Sequence, residues 1–313
     1  MKKQSLLTIV LLIAMTGFIS SVFYSCKTAS KTKSSSGKTT SPAKSSSASV
    51  TLQKNIGLQL YSIRDSINKN VPAAIEKVSK MGYKFVEPAG YSDGKIYGMA
   101  PVAFKELCKK YGMIVLSAHV SQPLPTDATR SKIMAWWDAC IDAHVAAGAK
   151  YLVQPSMGGD AYKDLATLKK YCDYFNEIGE KCKAKGLQFG YHNHDKEFST
   201  KLDGQTVYDF MLKNTDPAKV IFEIDLYWAV IGKANPVDYF NKYPGRFKLW
   251  HIKDEKEIGA SGMMDFPAYW ALAAKSGMEY GVVEVERYSF DEFTSCKKSI
   301  DFLNAAPYVK MPK

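Results

Sequence analysis

Eight short apolar runs, each followed by an amphipathic stretch with three- and four-residue spacing, predict an α/β chain folded as a single-domain (β/α)8 barrel, a TIM barrel. Two further observations support that class. Glycines close several of the helical stretches (Gly82, Gly112, Gly148, Gly186 and Gly277), where a left-handed cap turns the chain back toward a strand. The units also fill roughly 250 residues, the usual size of such a barrel. A doubly wound sheet would rarely need eight even units, and no GxGxxG follows the first strand.

The first strand is expected at residues 56–61, with a helix at 71–81 whose Val71, Ile75, Val78 and Met81 share one face. A strand at 84–87 precedes a helix at 101–111, opened by Pro101 where a first turn tolerates proline. Strands at 113–119, 151–154, 187–192, 220–225, 247–252 and 282–285 follow, with helices at 130–147, 165–185, 206–213, 236–241, 266–276 and 291–304. The strand runs are apolar almost throughout, as strands covered on both faces must be.

The first fifty residues are a different material. Lys2 and Lys3 precede an apolar run at 6–19, and Cys26 follows, which is the layout of an export signal. The run falls short of the roughly twenty residues a membrane-spanning helix needs. Phe23-Tyr24-Ser25-Cys26 resembles a lipoprotein cleavage box, with Cys26 as the acylated first residue of the mature chain. Residues 27–49 are almost wholly Ser, Thr, Lys, Ala and Gly, with no apolar periodicity, and read as a disordered, flexible tether. The expected division is therefore an export signal at 1–26, a linker at 27–52 and the barrel at 53–313. The protein is expected to be exported, a periplasmic membrane-anchored lipoprotein whose contact with the membrane is the lipid on Cys26.

Charge and cysteine usage narrow the partners. The net charge is +11, but seven lysines and no acid lie in the first fifty residues, leaving +4 for the rest and no reason to invoke nucleic acid. Beyond Cys26, Cys108, Cys140, Cys172, Cys182 and Cys296 show no CxxC spacing. They fall on apolar helix stripes and are expected to pack in the core.

In a barrel of this class the strand C-termini surround the active site, so polar residues closing an apolar strand are the ones to question. Here they are Glu87, His119, Gln154, the run Tyr191-His192-Asn193-His194-Asp195, Glu223-Ile224-Asp225, Trp250-His251-Ile252-Lys253-Asp254 and Glu284-Val285-Glu286-Arg287. Burying so many charges without a partner is costly, and a divalent metal is the simplest common partner. Imidazole with carboxylate and no thiolate suits Mn, Mg, Co, Zn or Fe(II). The expected ligands are Asp225, His251 and Glu284, with a fourth from His192 or His194. Lys253 is either a contact to an anionic substrate group or an orienter of the ligands, and Glu87 is either in the pocket or a partner of Arg64. Tyr61, Tyr91, Tyr191, Tyr227, Trp228 and Trp250 lie at or near strand ends, where aromatic faces suit sugar rings. Tyr61, His119, Gln154, Trp228, Glu286 and Arg287 are the expected substrate contacts.

At these residues the sequence resembles the xylose isomerase-like barrel superfamily of sugar and sugar-phosphate isomerases and epimerases, inosose dehydratases and endonuclease IV. The likeness runs from about Asn55 to the C-terminus. It is carried by Gly57-Leu58-Gln59-Leu60-Tyr61-Ser62-Ile63-Arg64-Asp65, Tyr191-His192-Asn193-His194-Asp195, Asp225-Leu226-Tyr227-Trp228 and His251-Ile252-Lys253-Asp254. The resemblance implies one metal held at the ends of strands five to eight by Glu, Asp, His and Glu. Asp225, His251 and Glu284 match three of these, while His192-Asn193-His194 stands where Glu-Asn-His is common. The implied chemistry is proton abstraction next to a carbonyl through a metal-bound enediolate. The base is Glu87, His192 or His194, with Glu284 as ligand and catalytic group and Lys253 beside it.

The expected function is a metal-dependent sugar isomerase or epimerase. The alternatives are a metal-dependent lyase or hydrolase on 3-keto-glycosides, an inosose-type dehydratase, or a non-catalytic carbohydrate-binding lipoprotein. A repair nuclease is disfavoured, because Trp228 stands where a further histidine would be expected. Export favours a free or oxidised sugar over a phosphorylated one. The oligomeric state is left open.

Overall fold

The computed structural model describes residues 54–311. The export signal and the linker expected before the barrel fall outside the described residues. Eight parallel strands form the central sheet: β1 (Ile56–Gln59), β2 (Phe85–Glu87), β3 (Ile114–Val115), β4 (Tyr151–Gln154), β5 (Gln188–His192), β6 (Val220–Asp225), β7 (Phe247–Ile252) and β8 (Tyr280–Val283). Each pairs with its neighbours in sequence, and β8 returns to β1. Between β3 and β4 the closure rests on a single His119–Val153 bridge, with Val153 N donating to Ala118 O and Val120 N to Val153 O, each at 2.9 Å. The fold is the TIM barrel expected from the sequence.

The helices that follow the strands are α1 (Val71–Met81), α2 (Pro101–Lys110), α3 (Arg130–Ala147), α4 (Leu165–Ala184), α5 (Val207–Asn214), α6 (Pro236–Lys242), α7 (Phe266–Ala271) and α8 (Glu292–Ala305). Short polar side chains start several of them. Asn70 accepts from Ala73 N ahead of α1, and Asp164 accepts from Thr167 N ahead of α4. Gly82 and Gly148 end α1 and α3 in the left-handed conformation, at φ 103° and 81°. Among the described residues no helix is long and apolar enough to cross a membrane.

Five strands differ from the expected ranges: β2 and β5 start one residue later, β8 covers Tyr280–Val283 rather than 282–285, and β1 and β3 end early. β3 covers Ile114–Val115 rather than 113–119, because Pro88 follows its neighbour β2 and has no N–H with which to extend the ladder. The chain instead reaches His119, whose N–H donates to Pro88 O at 2.9 Å. β1 stops at Gln59, whose side-chain oxygen accepts from Tyr61 N and starts the tight turn Leu60–Ile63.

Two apolar layers hold the barrel. Outside it, strands and helices share a large core that includes Trp137, Phe175, Trp250 and Phe240, and the cysteines of the described chain are all buried and free. Inside it, Phe85, Leu116, Tyr151, Val153, Ile221, Leu249 and Val282 form a separate plug. Gly57 lies opposite Phe85 in the β1–β2 register, and a Cβ there would come within 2.0 Å of the Phe85 ring. The glycine therefore makes the space that the ring fills.

Candidate active site

The register of β5 and β6 sets the site in two layers. Glu223 is paired with His192, so Asp225, two residues on, points the same way one layer nearer the C-terminal mouth. Asn193 fixes the upper layer: its Oδ1 accepts from Asp225 N at 3.1 Å and its Nδ2 donates to Asp225 O at 3.2 Å. Asp225 Oδ1 in turn accepts from Trp228 N at 2.8 Å, capping the turn of helix after β6.

His251, fully buried on β7, reaches both layers. Upward, its Nδ1 lies 3.9 Å from Asp225 Oδ2 and 3.5 Å from Glu284 Oε2. Downward, its Nε2 lies 2.8 Å from Glu87 Oε1 and 3.4 Å from Glu223 Oε2. The lower layer is completed by His119, whose Nε2 is 2.7 Å from Glu223 Oε2 and 3.1 Å from Glu87 Oε1, and by His192 Nδ1, 3.2 Å from Glu223 Oε2. Gln59 Nε2 donates to Glu87 Oε1 at 2.8 Å.

Two groups of side chains thus bring potential ligand atoms within 4.8 Å of one another: Asp225, His251 and Glu284 above, and His119, His192, Glu223 and His251 below. Asp225, His251 and Glu284 are the residues expected from the sequence to share a metal. The structure places His192 in the lower group, and His194 in neither. Among the described residues, Asp225 Oδ2 and His251 Nδ1 have no hydrogen-bond partner. Buried polar atoms without a partner are rare, and a cation that displaced the proton from Nδ1 would engage both. An imidazole and two carboxylates fit Mn, Mg, Co or Zn.

Electrostatics follow from this crowding. Burial pushes Asp225 up to about 7 against the pull of Lys253 and His251. Burial opposes charge on His251 as well, but Glu223, Glu284 and Glu87 outweigh it and raise its pKa. Burial lowers His192 and His194, so both are neutral at pH 7. Lys253 Nζ bridges Glu284 Oε2 at 2.9 Å and Glu286 Oε2 at 2.8 Å, and lies over the Trp228 ring.

A cavity of about 430 Å3 opens over these layers, lined by Tyr61, Tyr91, His119, Trp136, His192, His194, Glu284 and Glu286 among others. Other expected site residues lie elsewhere. Glu87 is enclosed beneath His251, and Arg64 bonds Tyr288 Oη and Glu286 O rather than Glu87. Gln154 turns its amide to Gln122 O and Ser156 O. Arg287 is exposed, Tyr191 is buried against Glu197, and Trp250 stacks on Phe240 in the outer core. Trp228 packs beside His194.

Three side chains carry more than strand-end reasoning assigned them. Glu223 is flagged by its position, but its role shows only in the two-residue step to Asp225, which puts both carboxylates on the inner face of β6. Gln59 is hidden inside an apolar run. Trp136 sits on α3, away from any strand end, and meets Tyr91 edge to face at 5.4 Å.

Comparison with known proteins agrees with this architecture. Residues 75–306 match the family described as xylose isomerase-like TIM barrel. A solved structure of a sugar phosphate isomerase/epimerase from Parabacteroides distasonis is 37% identical, with a TM-score of 0.76, and the match covers 82% of this chain and all of that one. The IolI protein with a bound zinc atom shares the fold at 14% identity and a TM-score of 0.64, covering 82% of this chain and 98% of that one. An inosose dehydratase of Lacticaseibacillus casei is 25% identical over 158 residues, which span 43% of this chain and half the length of that curated relative. Its named relatives are enzymes, and on the family match and the Parabacteroides structure together the chain belongs to the xylose isomerase-like TIM barrel family.

Proposed function

We propose that this protein is a metal-dependent sugar isomerase or epimerase that removes a proton next to a carbonyl. The observation that carries the proposal is the convergence of Asp225, His251 and Glu284 within 4.8 Å, with Asp225 Oδ2 and His251 Nδ1 unpartnered among the described residues. A divalent ion held there would supply Lewis-acid stabilisation of negative charge on a sugar oxygen.

The protein's own groups are arranged to serve that chemistry. Glu87 accepts the Nε2 proton of His251, which fixes the tautomer whose Nδ1 faces the upper layer. Lys253 holds Glu284 and Glu286 in place. His194, neutral on the cavity wall and outside both ligand groups, is the base that takes the carbon-bound proton. The acidic groups of the cavity lining are Glu284 and Glu286, which already engage Lys253, so a phosphate would meet like charge there. That supports an unphosphorylated sugar, as does the expected export through the signal and Cys26.

A second reading is favoured by one feature. His192-Asn193-His194 replaces the usual strand-five carboxylate, and the likeness to an inosose dehydratase supports elimination, either of water or of the aglycone from a 3-keto-glycoside. Both reactions start with the same proton abstraction.

Incubating sugars and keto-sugars with the purified protein in deuterated water, followed by NMR, tests the proposal. Deuterium is expected at the carbon next to the carbonyl, lost on chelation, restored by Mn(II) or Zn(II), and abolished by His194→Gln. Full turnover after metal removal would overturn it. Sugar binding by calorimetry without any exchange would assign a non-catalytic carbohydrate-binding role instead.

A further inference from the structure

We propose that the barrel contains a second cation seat, one layer below the first, formed by His119 Nε2, His192 Nδ1 and Glu223 Oε2 and open toward the same cavity. This goes beyond the reading above, which needs an ion only in the upper layer.

Around Glu223 the close contacts outnumber the N–H groups. Glu223 Oε2 faces three imidazole nitrogens, at 2.7 Å from His119, 3.2 Å from His192 and 3.4 Å from His251. His119 and His251 each point one nitrogen at both Glu87 and Glu223, making four close contacts with at most two N–H groups to serve them. If His251 donates to Glu87 at 2.8 Å, it has nothing left for Glu223.

Unfilled acceptors point the same way. Glu87 and Glu223 are both fully buried, and among the described residues Glu87 Oε2 and Glu223 Oε1 have no hydrogen-bond partner. Two carboxylates that close together, in a layer floored by Phe85, Leu249 and Val282, hold positive charge between them. When no ion is bound that charge sits on the His119 and His251 imidazoles, whose pKa values are raised, and neither imidazole reaches the two unpartnered oxygens.

Donor chemistry selects the ion. Two imidazoles and one carboxylate are the set that open, catalytic zinc sites use, with a further position left for water or substrate. Here that position has a direction, since His119 and His192 both line the cavity. The upper group, with two carboxylates and one imidazole, is the harder of the two and accepts Mn(II) or Mg(II) more readily. A borderline ion such as Zn(II) or Co(II) is therefore expected below. His251 can serve the upper ion through Nδ1 while its Nε2–H donates to Glu87, so the two seats do not compete for it.

The test is metal stoichiometry on the full chain, stripped with chelator and titrated with Zn(II) alone, by elemental analysis and calorimetry. The wild type is expected to take up two equivalents, Glu223→Gln and His119→Gln one, and Asp225→Asn one. Co(II) absorption gives an independent readout: the intense bands of a four-coordinate site should vanish in Glu223→Gln and persist in Asp225→Asn. A single equivalent that survives both lower-layer variants and is lost in Asp225→Asn would overturn the second seat and leave the proposed function standing. A single equivalent lost only in the lower-layer variants would keep the seat and remove the upper one. No uptake in any protein would end both.

Discussion

At the N-terminal end of the barrel Glu279 accepts from Lys150 and Tyr151 at 2.6 Å, with Lys248 at 3.2 Å, over a plug in which Tyr280 packs edge to face on Phe85 and Tyr151. At the C-terminal end Glu87, Glu223, Asp225 and Glu284 crowd around His119, His192, His251 and Lys253, and several of their oxygens find no donor among the described residues. The first arrangement satisfies its charges and closes the barrel. The second leaves them short, which lowers stability and prepares a place for a ligand. Stability is thus concentrated below and reactivity above, along the same eight strands.

The largest effect expected from breaking this contrast lies in the plug. Gly57→Ala would drive a methyl into the Phe85 ring, which is enclosed by β-strand neighbours and cannot swing away. Overpacking of this kind should cost about 3 kcal/mol, read as a lower midpoint in a urea titration. Wild-type stability in that variant would mean that the plug is looser than its contacts imply.

The mouth should respond in the opposite sense. The Asp225 carboxyl, pushed up to about 7 by burial, lies above its ordinary value of 3.8, so its ionisation opposes folding once the pH passes 3.8, and fully above 7. Asp225→Asn keeps the cap on Trp228 N and removes the charge. In chelator at pH 8 it should stabilise the protein by about 2 kcal/mol, an advantage that disappears below pH 4. A variant less stable than the wild type at pH 8 would contradict the contrast between the two ends. Glu87→Gln is a smaller change: losing the acceptor that orients His251 should weaken metal retention about 10- to 100-fold. Unchanged affinity would show that His251 is held without it.

These predictions separate what the sequence makes legible from what it does not. The strands and helices are readable because each strand is covered on both faces and each helix carries one apolar stripe, so Val220–Asp225 and Arg130–Ala147 emerge with their observed bounds. Asp225, His251 and Glu284 are readable because a charge ending an apolar strand has few structural uses. The end of β3 is not, since the residue that cuts it short, Pro88, belongs to a neighbouring strand. Nor is the double role of His251, because which carboxylate meets which imidazole nitrogen depends on the stagger between strands. The spacing of Glu223 and Asp225 was the available clue to two layers. For Trp136, on a helix whose neighbour Trp137 is fully buried, the sequence offers none.

The smallest effect sharpens the lower half of the comparison. Burial works against ionisation of Glu279, but hydrogen bonds from Lys150, Tyr151 and Lys248 outweigh it and bring its pKa down from 4.5 to about 2. A carboxylate with a depressed folded pKa contributes stability that is present in full above its unfolded value and lost as the pH falls from about 4.5 to about 2. The side chain is 32% exposed, so solvent screens the interaction, and about 1 kcal/mol is the expected contribution at pH 7. Glu279→Gln should therefore lower the melting temperature by about 2–4 °C at pH 7. It should also flatten the acid limb of the stability curve, so that variant and wild type converge near pH 2. If the difference were equally large at pH 2 and pH 7, the loss would come from packing around Tyr151 rather than from charge, and the N-terminal end would owe its stability to the aromatic plug alone.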